Sequence, residues 1–290
     1  MAKPRVAILG LGIMGSGMAS RLLSAGFPLA VYNRKLEKAE HLKSAGAFVA
    51  RTPREAAARA EVVISMVADD VASRAVWLGP DGALAAAAPG TVLVESSTLS
   101  IGWVNELAAA AAQHKCEFLD APVTGSKPQA AAGELLFLVG GSASTLAAAR
   151  PVLSVMSRDI LHLGPTGSGA MLKLINNFMC GVQAAALAEA MSLLEASGLD
   201  RDKSLEVLTN GAPGSPLVKV LSARATAGDF TPNFMLGAMA KDLNYAVEEG
   251  ARRGITLQTG ISARRVFRQA IAEGYADKDF SAVIESQRKR

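Results

Sequence analysis

The chain has 290 residues, of which 50% are hydrophobic, 19% are charged and 5% are aromatic, with a formal net charge of +4. This composition is typical of a folded globular protein and excludes a disordered or collagen-like chain. The charge is small and no basic stripe alternates with aromatic residues, so we expect no nucleic-acid partner. Part of the charge comes from the closing residues 288–290, which are expected to form a solvated tail.

The length predicts two domains, at roughly 150 residues for each. The only cysteines, Cys116 and Cys180, are too few and too far apart for a disulfide framework or a zinc site, which favours a reducing cytoplasmic location. The first residues lead directly into the apolar run 6–9, the pattern of a strand and not of a signal peptide. The most apolar stretch, 171–194, is interrupted by charged and amide side chains, so we predict a buried helix and no membrane partner.

Residues 1–165 show short apolar runs that alternate with helix-like segments, a pattern typical of strand-helix-strand units in a parallel sheet. The predicted strands cover residues 5–9, 29–32, 47–50, 61–67, 91–95, 116–120, 134–139 and 159–163. The predicted helices between them cover residues 16–25, 36–44, 53–60, 71–78 and 100–114.

The strand pattern stops at about residue 169. A long helix is predicted from there to residue 196, where Ser197-Gly198 favours a helix end. Asp200 can cap a helix that runs to about residue 208, and the loop 210–216 interrupts the chain. Further helices are predicted over residues 236–253 and 258–273, so this half is expected to be all-helical.

A glycine-rich turn, Gly10-Leu11-Gly12-Ile13-Met14-Gly15, follows the first predicted strand directly. In the pattern GxGxxG, the first glycine allows a tight turn, the second lets the backbone approach a pyrophosphate, and the third lets the helix pack against the strand. Amide groups at the helix start then bind the phosphates. Since strand, turn, helix and next strand occur in the required order, we predict a dinucleotide site formed by Gly10, Gly12, Ile13, Met14 and Gly15.

The fold class predicted from these patterns is α/β, with a Rossmann-type dinucleotide-binding domain over residues 1–165. An all-α domain for substrate binding and oligomerisation is expected to follow over residues 166–290, joined by the long helix.

The end of the second predicted strand indicates which dinucleotide is bound. An acidic residue there would bind the ribose hydroxyls of NAD, whereas a cation favours NADP. The chain has Asn33 and Arg34 at this place. A guanidinium group can bind a 2′-phosphate through two hydrogen bonds, and the Asn33 amide can add a donor. We therefore predict NADPH as the cofactor; a structural turn capped by Arg34 is the alternative.

The chemistry of hydride transfer to a carbonyl indicates which residue could be the catalytic group. The three histidines are far apart in the sequence, so neither a metal site nor a serine-histidine triad is predicted. Negative charge develops on the carbonyl oxygen, and an ammonium group can stabilise it and donate a proton. Lys173, in the apolar start of the long helix, is the candidate, with Asn177 on the same helical face. A lysine that only extends to solvent beside core asparagines is the alternative.

Four motifs occur in order along the whole chain. They are Gly10-Leu11-Gly12-Ile13-Met14-Gly15 with Met18-Ala19, Asp120-Ala121-Pro122-Val123-Thr124-Gly125-Ser126, Gly167-Ser168-Gly169-Ala170-Met171-Leu172-Lys173-Leu174-Ile175-Asn176-Asn177, and Lys241-Asp242-Leu243. Together they resemble the β-hydroxyacid dehydrogenases, a family that includes 3-hydroxyisobutyrate dehydrogenases, tartronate semialdehyde reductases and glyoxylate/succinic semialdehyde reductases.

The resemblance implies roles for the residues in these motifs. Lys173 would be the catalytic acid with Asn177 beside it, and the loop Thr124-Gly125-Ser126 would bind the substrate carboxylate through hydroxyl and amide donors. The family usually has serine where this chain has Thr124, which keeps the hydroxyl and adds a methyl group. Lys241 would lie near the nicotinamide and the substrate.

The same resemblance implies that Met66 and Val67, at the end of one predicted strand, and Thr98 line the cofactor. Core packing and a helix cap, respectively, are the alternative interpretations of these residues.

Within the family, Asn33-Arg34 with Lys38, the stretch 164–177 and the segment 279–285 most resemble the glyoxylate/succinic semialdehyde reductases. The implied reaction is reduction by NADPH of a small carboxylate-bearing aldehyde to the hydroxy acid, such as succinic semialdehyde to 4-hydroxybutyrate or glyoxylate to glycolate. The long apolar helix suggests a homodimer or homotetramer.

Other functions stay open at this point. A 3-hydroxyisobutyrate dehydrogenase and a tartronate semialdehyde reductase would share the same motifs. An imine reductase would share the turn and the long helix but usually lacks a lysine at the position of Lys173. A non-catalytic NADPH-binding module is disfavoured by the presence of both Lys173 and Asn177.

Overall fold

The computed structural model describes residues 2–288, and the chain forms two compact units, Met1–Lys173 and Leu174–Arg290. The division lies inside a long helix, later in the chain than the predicted boundary at residue 165. Each unit has its own hydrophobic core.

The first unit alternates strands and helices. Its strands are β1 (Val6–Leu9), β2 (Leu29–Tyr32), β3 (Phe48–Val49), β4 (Val62–Ser65), β5 (Val92–Glu95), β6 (Glu117–Asp120), β7 (Val123–Thr124), β8 (Leu135–Gly141) and β9 (Ser157–Gly164). Its helices are α1 (Ile13–Ser24), α2 (Glu40–Ser44), α3 (Pro53–Ala57), α4 (Asp70–Leu78), α5 (Ile101–Gln113), α6 (Lys127–Ala132), α7 (Ala143–Leu153) and the start of α8 (Ser168–Ala196).

A strand lies at every predicted position. Each residue of β1, β4 and β5 is buried, as expected for strands covered on both faces. The strand order begins β3-β2-β1-β4-β5-β6, with parallel pairing throughout. This is the order of a dinucleotide-binding sheet, so the predicted fold class is confirmed.

The parallel pairing predicted from the strand-helix-strand pattern holds as far as β6 and changes beyond it. Both β6 and β7 pair with β8 in the antiparallel sense, and β9 then pairs with β8 in parallel. Between β6 and β8 the chain forms β7, which itself pairs with β8 in the antiparallel sense, and the short helix α6.

The second unit is helical, as predicted. After the rest of α8 it contains α9 (Arg201–Asn210), α10 (Pro216–Ala227), α11 (Leu236–Arg252), α12 (Gln258–Ala272) and α13 (Val283–Arg288). The Asp200 side chain accepts a hydrogen bond from the Lys203 N–H and caps α9, as predicted. Helix α10 was not predicted, although Ser215 caps it and Pro216 is its first residue.

Helix α8 is the one helix among the described residues whose length and composition meet the test for a membrane span. Its polar residues therefore do not take it below the limit of this test, and the prediction of a buried helix without a membrane partner stays a prediction. Less than half of the tested window is buried. The core helix of a soluble protein passes the same test.

The expected solvated tail is also wrong for Arg288. Its guanidinium group lies in α13 and forms ion pairs with Glu195 at 2.6 Å and Glu285 at 2.5 Å. Lys289 and Arg290 lie outside the described residues.

Candidate active site

The glycine-rich turn between β1 and α1 is closed on one side and open on the other. Gly10 has φ +101°, and a Cβ there would lie 2.3 Å from the Met66 carbonyl oxygen. A Cβ on Gly15 would lie 2.0 Å from the Gly10 carbonyl oxygen. In contrast, a Cβ on Gly12 would meet no atom within 4 Å, and no side chain caps α1. The open side and the uncapped helix start fit a pyrophosphate.

Asn33 and Arg34 follow β2 directly. The Asn33 side-chain oxygen Oδ1 accepts a hydrogen bond from the Leu11 N–H at 3.0 Å, and its side-chain amide Nδ2 donates to the Lys35 carbonyl at 2.8 Å. Asn33 thus links the glycine-rich turn to the end of β2, a contact that the sequence did not predict. One of the two N–H groups of its side-chain amide is already used in these hydrogen bonds. Arg34 is exposed and forms no ion pair with a described carboxylate.

Met66, Val67 and Thr98 lie just beyond the carboxyl ends of β4 and β5, where ligands bind in open α/β sheets. Met66 and Val67 are partly exposed and pack against Gly10 of the turn. Their strand is shorter than the predicted 61–67, so both residues belong to the loop that borders the dinucleotide turn.

The loop after β6 holds the predicted substrate-binding residues. The N–H and the hydroxyl of Ser126 both donate to Gln129 Oε1, at 2.9 and 3.0 Å, at the start of α6. The Thr124 hydroxyl and the Gly125 N–H form no hydrogen bond with described residues. Of the donors predicted to bind a carboxylate, those of Ser126 are therefore used within the loop, whereas those of Thr124 and Gly125 have no partner among the described residues.

Asp120, at the end of β6, connects this loop to the start of α8. Its fully buried carboxyl group accepts hydrogen bonds from the Gly167 and Ala170 N–H groups, both at 2.8 Å. Burial raises the pKa of the Asp120 carboxyl above its ordinary value, and these bonds oppose that effect. A Cβ on Gly140 would lie 2.5 Å from its Oδ1. The sequence identified Asp120 only as a strand end, because such a contact depends on distant residues.

Lys173 lies one turn beyond Ala170 on α8 and is partly exposed. Asn177 lies one further turn along the same helix and is buried, at 3% exposure. The Asp120 contact therefore fixes the helical segment that carries Lys173.

In the second unit, Asn177 belongs to a buried polar cluster with Lys241 and Asp242. The Asn177 amide donates to Asp242 Oδ2 at 2.5 Å, and Lys241 Nζ lies 2.9 Å from Asp242 Oδ1. Lys241 Nζ also lies 4.9 Å from the centre of the Tyr245 ring. Sequence reasoning assigned no role to Asp242, although a buried acid needs such partners.

A metal-binding cluster of three or more His, Cys, Asp or Glu side chains is not found among residues 2–288.

These features define an NAD(P)-binding oxidoreductase, and comparisons with known proteins identify its family. The profile of the NAD binding domain of 6-phosphogluconate dehydrogenase matches residues 5–164, and that of the NAD-binding region of NADP-dependent 3-hydroxyisobutyrate dehydrogenase matches residues 167–286. The chain is 37% identical to the NAD-dependent L-serine dehydrogenase of Pseudomonas aeruginosa, over 96% of both chains. It is 38% identical to a probable 3-hydroxyisobutyrate dehydrogenase of Mycobacterium tuberculosis, over 98% of both.

Solved structures resemble the chain over nearly its whole length. Mycobacterium tuberculosis 3-hydroxyisobutyrate dehydrogenase with L-serine has a TM-score of 0.89 and 36% identity, over 99% of both chains. Psf3 in complex with NADP+ and 2-OPP has a TM-score of 0.87 and 28% identity, over 97% of this chain and 99% of that one. The chain belongs to the β-hydroxyacid dehydrogenase family and is an oxidoreductase that acts on CH–OH groups. A reductive aminase from Aspergillus terreus, at 22% identity, shares the fold alone.

Proposed function

We propose that this dehydrogenase uses NADPH to reduce a small carboxylate-bearing aldehyde to the hydroxy acid, with glyoxylate and succinic semialdehyde as the predicted substrates. The observation that carries the proposal is the position of Asp120. This residue begins the loop with the unpaired donors of Thr124 and Gly125, and its carboxyl group holds the start of the helix with Lys173. One residue thus supports both a carboxylate-binding loop and a proton donor.

The preference for NADPH rests on Arg34. Its exposed guanidinium group has no carboxylate partner among the described residues and follows the strand whose end binds the adenosine ribose in this fold. A guanidinium group binds a phosphate more strongly than a neutral hydroxyl, because two charge-assisted hydrogen bonds form. A solved relative, Psf3, binds NADP+. The second N–H of the Asn33 amide is available to the same phosphate.

Lys173 is the proposed general acid. The bound cofactor supplies the hydride, and the Lys173 ammonium group transfers a proton to the carbonyl oxygen as negative charge develops there. In the oxidative direction the neutral amine accepts that proton from the hydroxyl group. Asn177 is held by Asp242, so its amide has a fixed orientation one helical turn from Lys173. We assign Asn177 to orienting the lysine or the substrate, and Lys241 to contact with the nicotinamide end and the substrate.

Oxidation of 3-hydroxyisobutyrate or L-serine is the second candidate function. It is favoured by the named activities of the relatives at 37% and 38% identity. The segment 279–285, which resembles the semialdehyde reductases, is mostly buried and contributes to packing. A cytoplasmic location and a homodimer or homotetramer complete the proposal.

The test is a substrate panel with purified protein. NADPH oxidation would be measured with glyoxylate, succinic semialdehyde, tartronate semialdehyde, methylmalonate semialdehyde and a cyclic imine, and the reverse reaction with 3-hydroxyisobutyrate and L-serine. The highest kcat/KM for glyoxylate or succinic semialdehyde with NADPH supports the proposal. The highest value for 3-hydroxyisobutyrate or L-serine supports the second candidate. Activity on the imine alone, or NADPH binding without turnover, would contradict both.

A further inference from the structure

A buried acid, Glu95, lies at the carboxyl end of β5 and takes no part in the chemistry proposed above. It is 1% exposed and forms no ion pair with a described residue. Three neutral donors surround it instead. The Ser73 hydroxyl at 2.6 Å and the Trp77 indole N–H at 2.8 Å donate to Oε2, while the Ser97 N–H donates to Oε1 at 2.9 Å.

The donors behind Glu95 are themselves fixed. The Trp103 indole N–H donates to the Ser73 hydroxyl oxygen at 2.8 Å, which leaves the Ser73 proton for Glu95. Trp77 and Trp103 are the only tryptophans in the chain, and both are buried. A buried carboxyl group is costly unless its acceptors are satisfied, so this arrangement holds Glu95 rigidly in one position.

The path on the other side of Glu95 leads to the dinucleotide turn. The Ser97 hydroxyl oxygen accepts a hydrogen bond from the Val67 N–H at 2.8 Å. Val67 and Met66 in turn border Gly10, where an added Cβ would meet the Met66 carbonyl at 2.3 Å and a Val67 methyl carbon at 3.0 Å. A continuous series of contacts therefore runs from Glu95 through Ser97 to the base of the turn.

We propose that Glu95 is a positioning residue for the dinucleotide site: it holds Ser97 through the Ser97 N–H, and the Ser97 hydroxyl in turn holds Val67 and thus the glycine-rich turn. Without this link, Val67 loses its N–H acceptor, and the loop beneath Gly10 gains freedom that dinucleotide binding must remove. This inference rests on the NAD(P)-binding fold and is independent of the proposed substrate.

The experiment measures NADPH affinity by fluorescence titration, well below the melting temperature of each variant. Ser97→Ala removes the link, and the matched control Ser96→Ala removes a neighbouring buried hydroxyl that has no hydrogen-bond partner among the described residues. We expect the Kd of Ser97→Ala to rise about tenfold, the effect of one ordinary hydrogen bond, and that of Ser96→Ala to change less than about twofold. Equal Kd values for these two variants would overturn the proposal.

A second pair of variants tests the role of Glu95 itself. Glu95→Leu removes every acceptor, whereas the control Trp77→Phe removes one donor to the same carboxyl group and leaves the Ser97 bonds intact. Only Glu95→Leu should weaken NADPH binding, and adding Ser97→Ala to it should give little further loss, since both changes break one path. Additive losses, or equal affinities of Glu95→Leu and Trp77→Phe, would overturn the proposal. If Glu95→Leu does not fold, the comparison of Ser97→Ala with Ser96→Ala tests the proposal alone.

Discussion

The contact between the start of α8 and the sheet predicts the effect of a substitution at Gly169. A Cβ there would lie 2.1 Å from the Leu138 carbonyl oxygen and 2.9 Å from the Asp120 carbonyl oxygen. Both are backbone atoms of sheet strands, so neither can rotate away. To restore an ordinary contact, the helix start in Gly169→Ala must shift by about 1 Å, a displacement that can cost about a hundredfold in rate when it moves a catalytic group.

Overpacking of this kind costs about 1–3 kcal/mol of the free energy of unfolding. Lys173 lies on the displaced segment, whereas the glycine-rich turn lies elsewhere in the unit. We therefore expect Gly169→Ala to lower both the stability and kcat, with little change in NADPH affinity. The control is Gly102→Ala, on α5, where an added Cβ meets no atom within 4 Å. That variant should be as stable as the wild type or up to about 1 kcal/mol more stable, with unchanged kcat.

The assays are chemical unfolding, steady-state kinetics and NADPH titration on both variants. If Gly169→Ala matched Gly102→Ala in stability and turnover, the close contact between α8 and the sheet would be refuted, together with its role in holding Lys173.

Three other predictions follow from the same structure. Arg34→Ala should weaken NADPH binding and leave NADH binding unchanged, and an unchanged ratio of the two affinities would remove the phosphate assignment. Thr124→Val should lower kcat/KM for succinic semialdehyde by about tenfold or more but not that for butanal, which lacks the carboxylate. Burial raises the pKa of Glu95 above 4.5, so the unfolding free energy should decrease as pH rises above 4.5. The slope of unfolding free energy against pH should be smaller in Glu95→Gln, and equal slopes in the two proteins would contradict this.

The fold was largely predictable because its signals are local. Continuous apolar runs identified the strands, and Asp200 identified a helix start. The direction of β8 was not predictable from its apolar pattern, which is the same for parallel and antiparallel strands. Helix α7 was missed in an alanine-rich segment with an internal proline, Pro151, and α10 was missed because Pro216 was taken as part of a loop.

The candidate site was predictable only where a motif is contiguous in the chain. The spacing of the glycines alone is enough to predict the glycine-rich turn, and Arg34 is identified by its place after a strand. The partners of Asp120, Asp242 and Glu95 lie far away in the sequence or in loops, so their hydrogen bonds appear only once the chain is folded. Predicted donors can also be used internally, as the contact of Ser126 with Gln129 shows.

The most direct test of the central claim is the turnover of Lys173→Ala on the best substrate of the panel, measured beside its NADPH affinity. Without the ammonium group, the negative charge on the carbonyl oxygen is neither stabilised nor neutralised as it forms. The account predicts a loss in kcat of about a hundredfold or more with little change in NADPH affinity, and no rescue by Lys173→Arg, since guanidinium does not release its proton. A folded Lys173→Ala variant with turnover near that of the wild type would contradict the account.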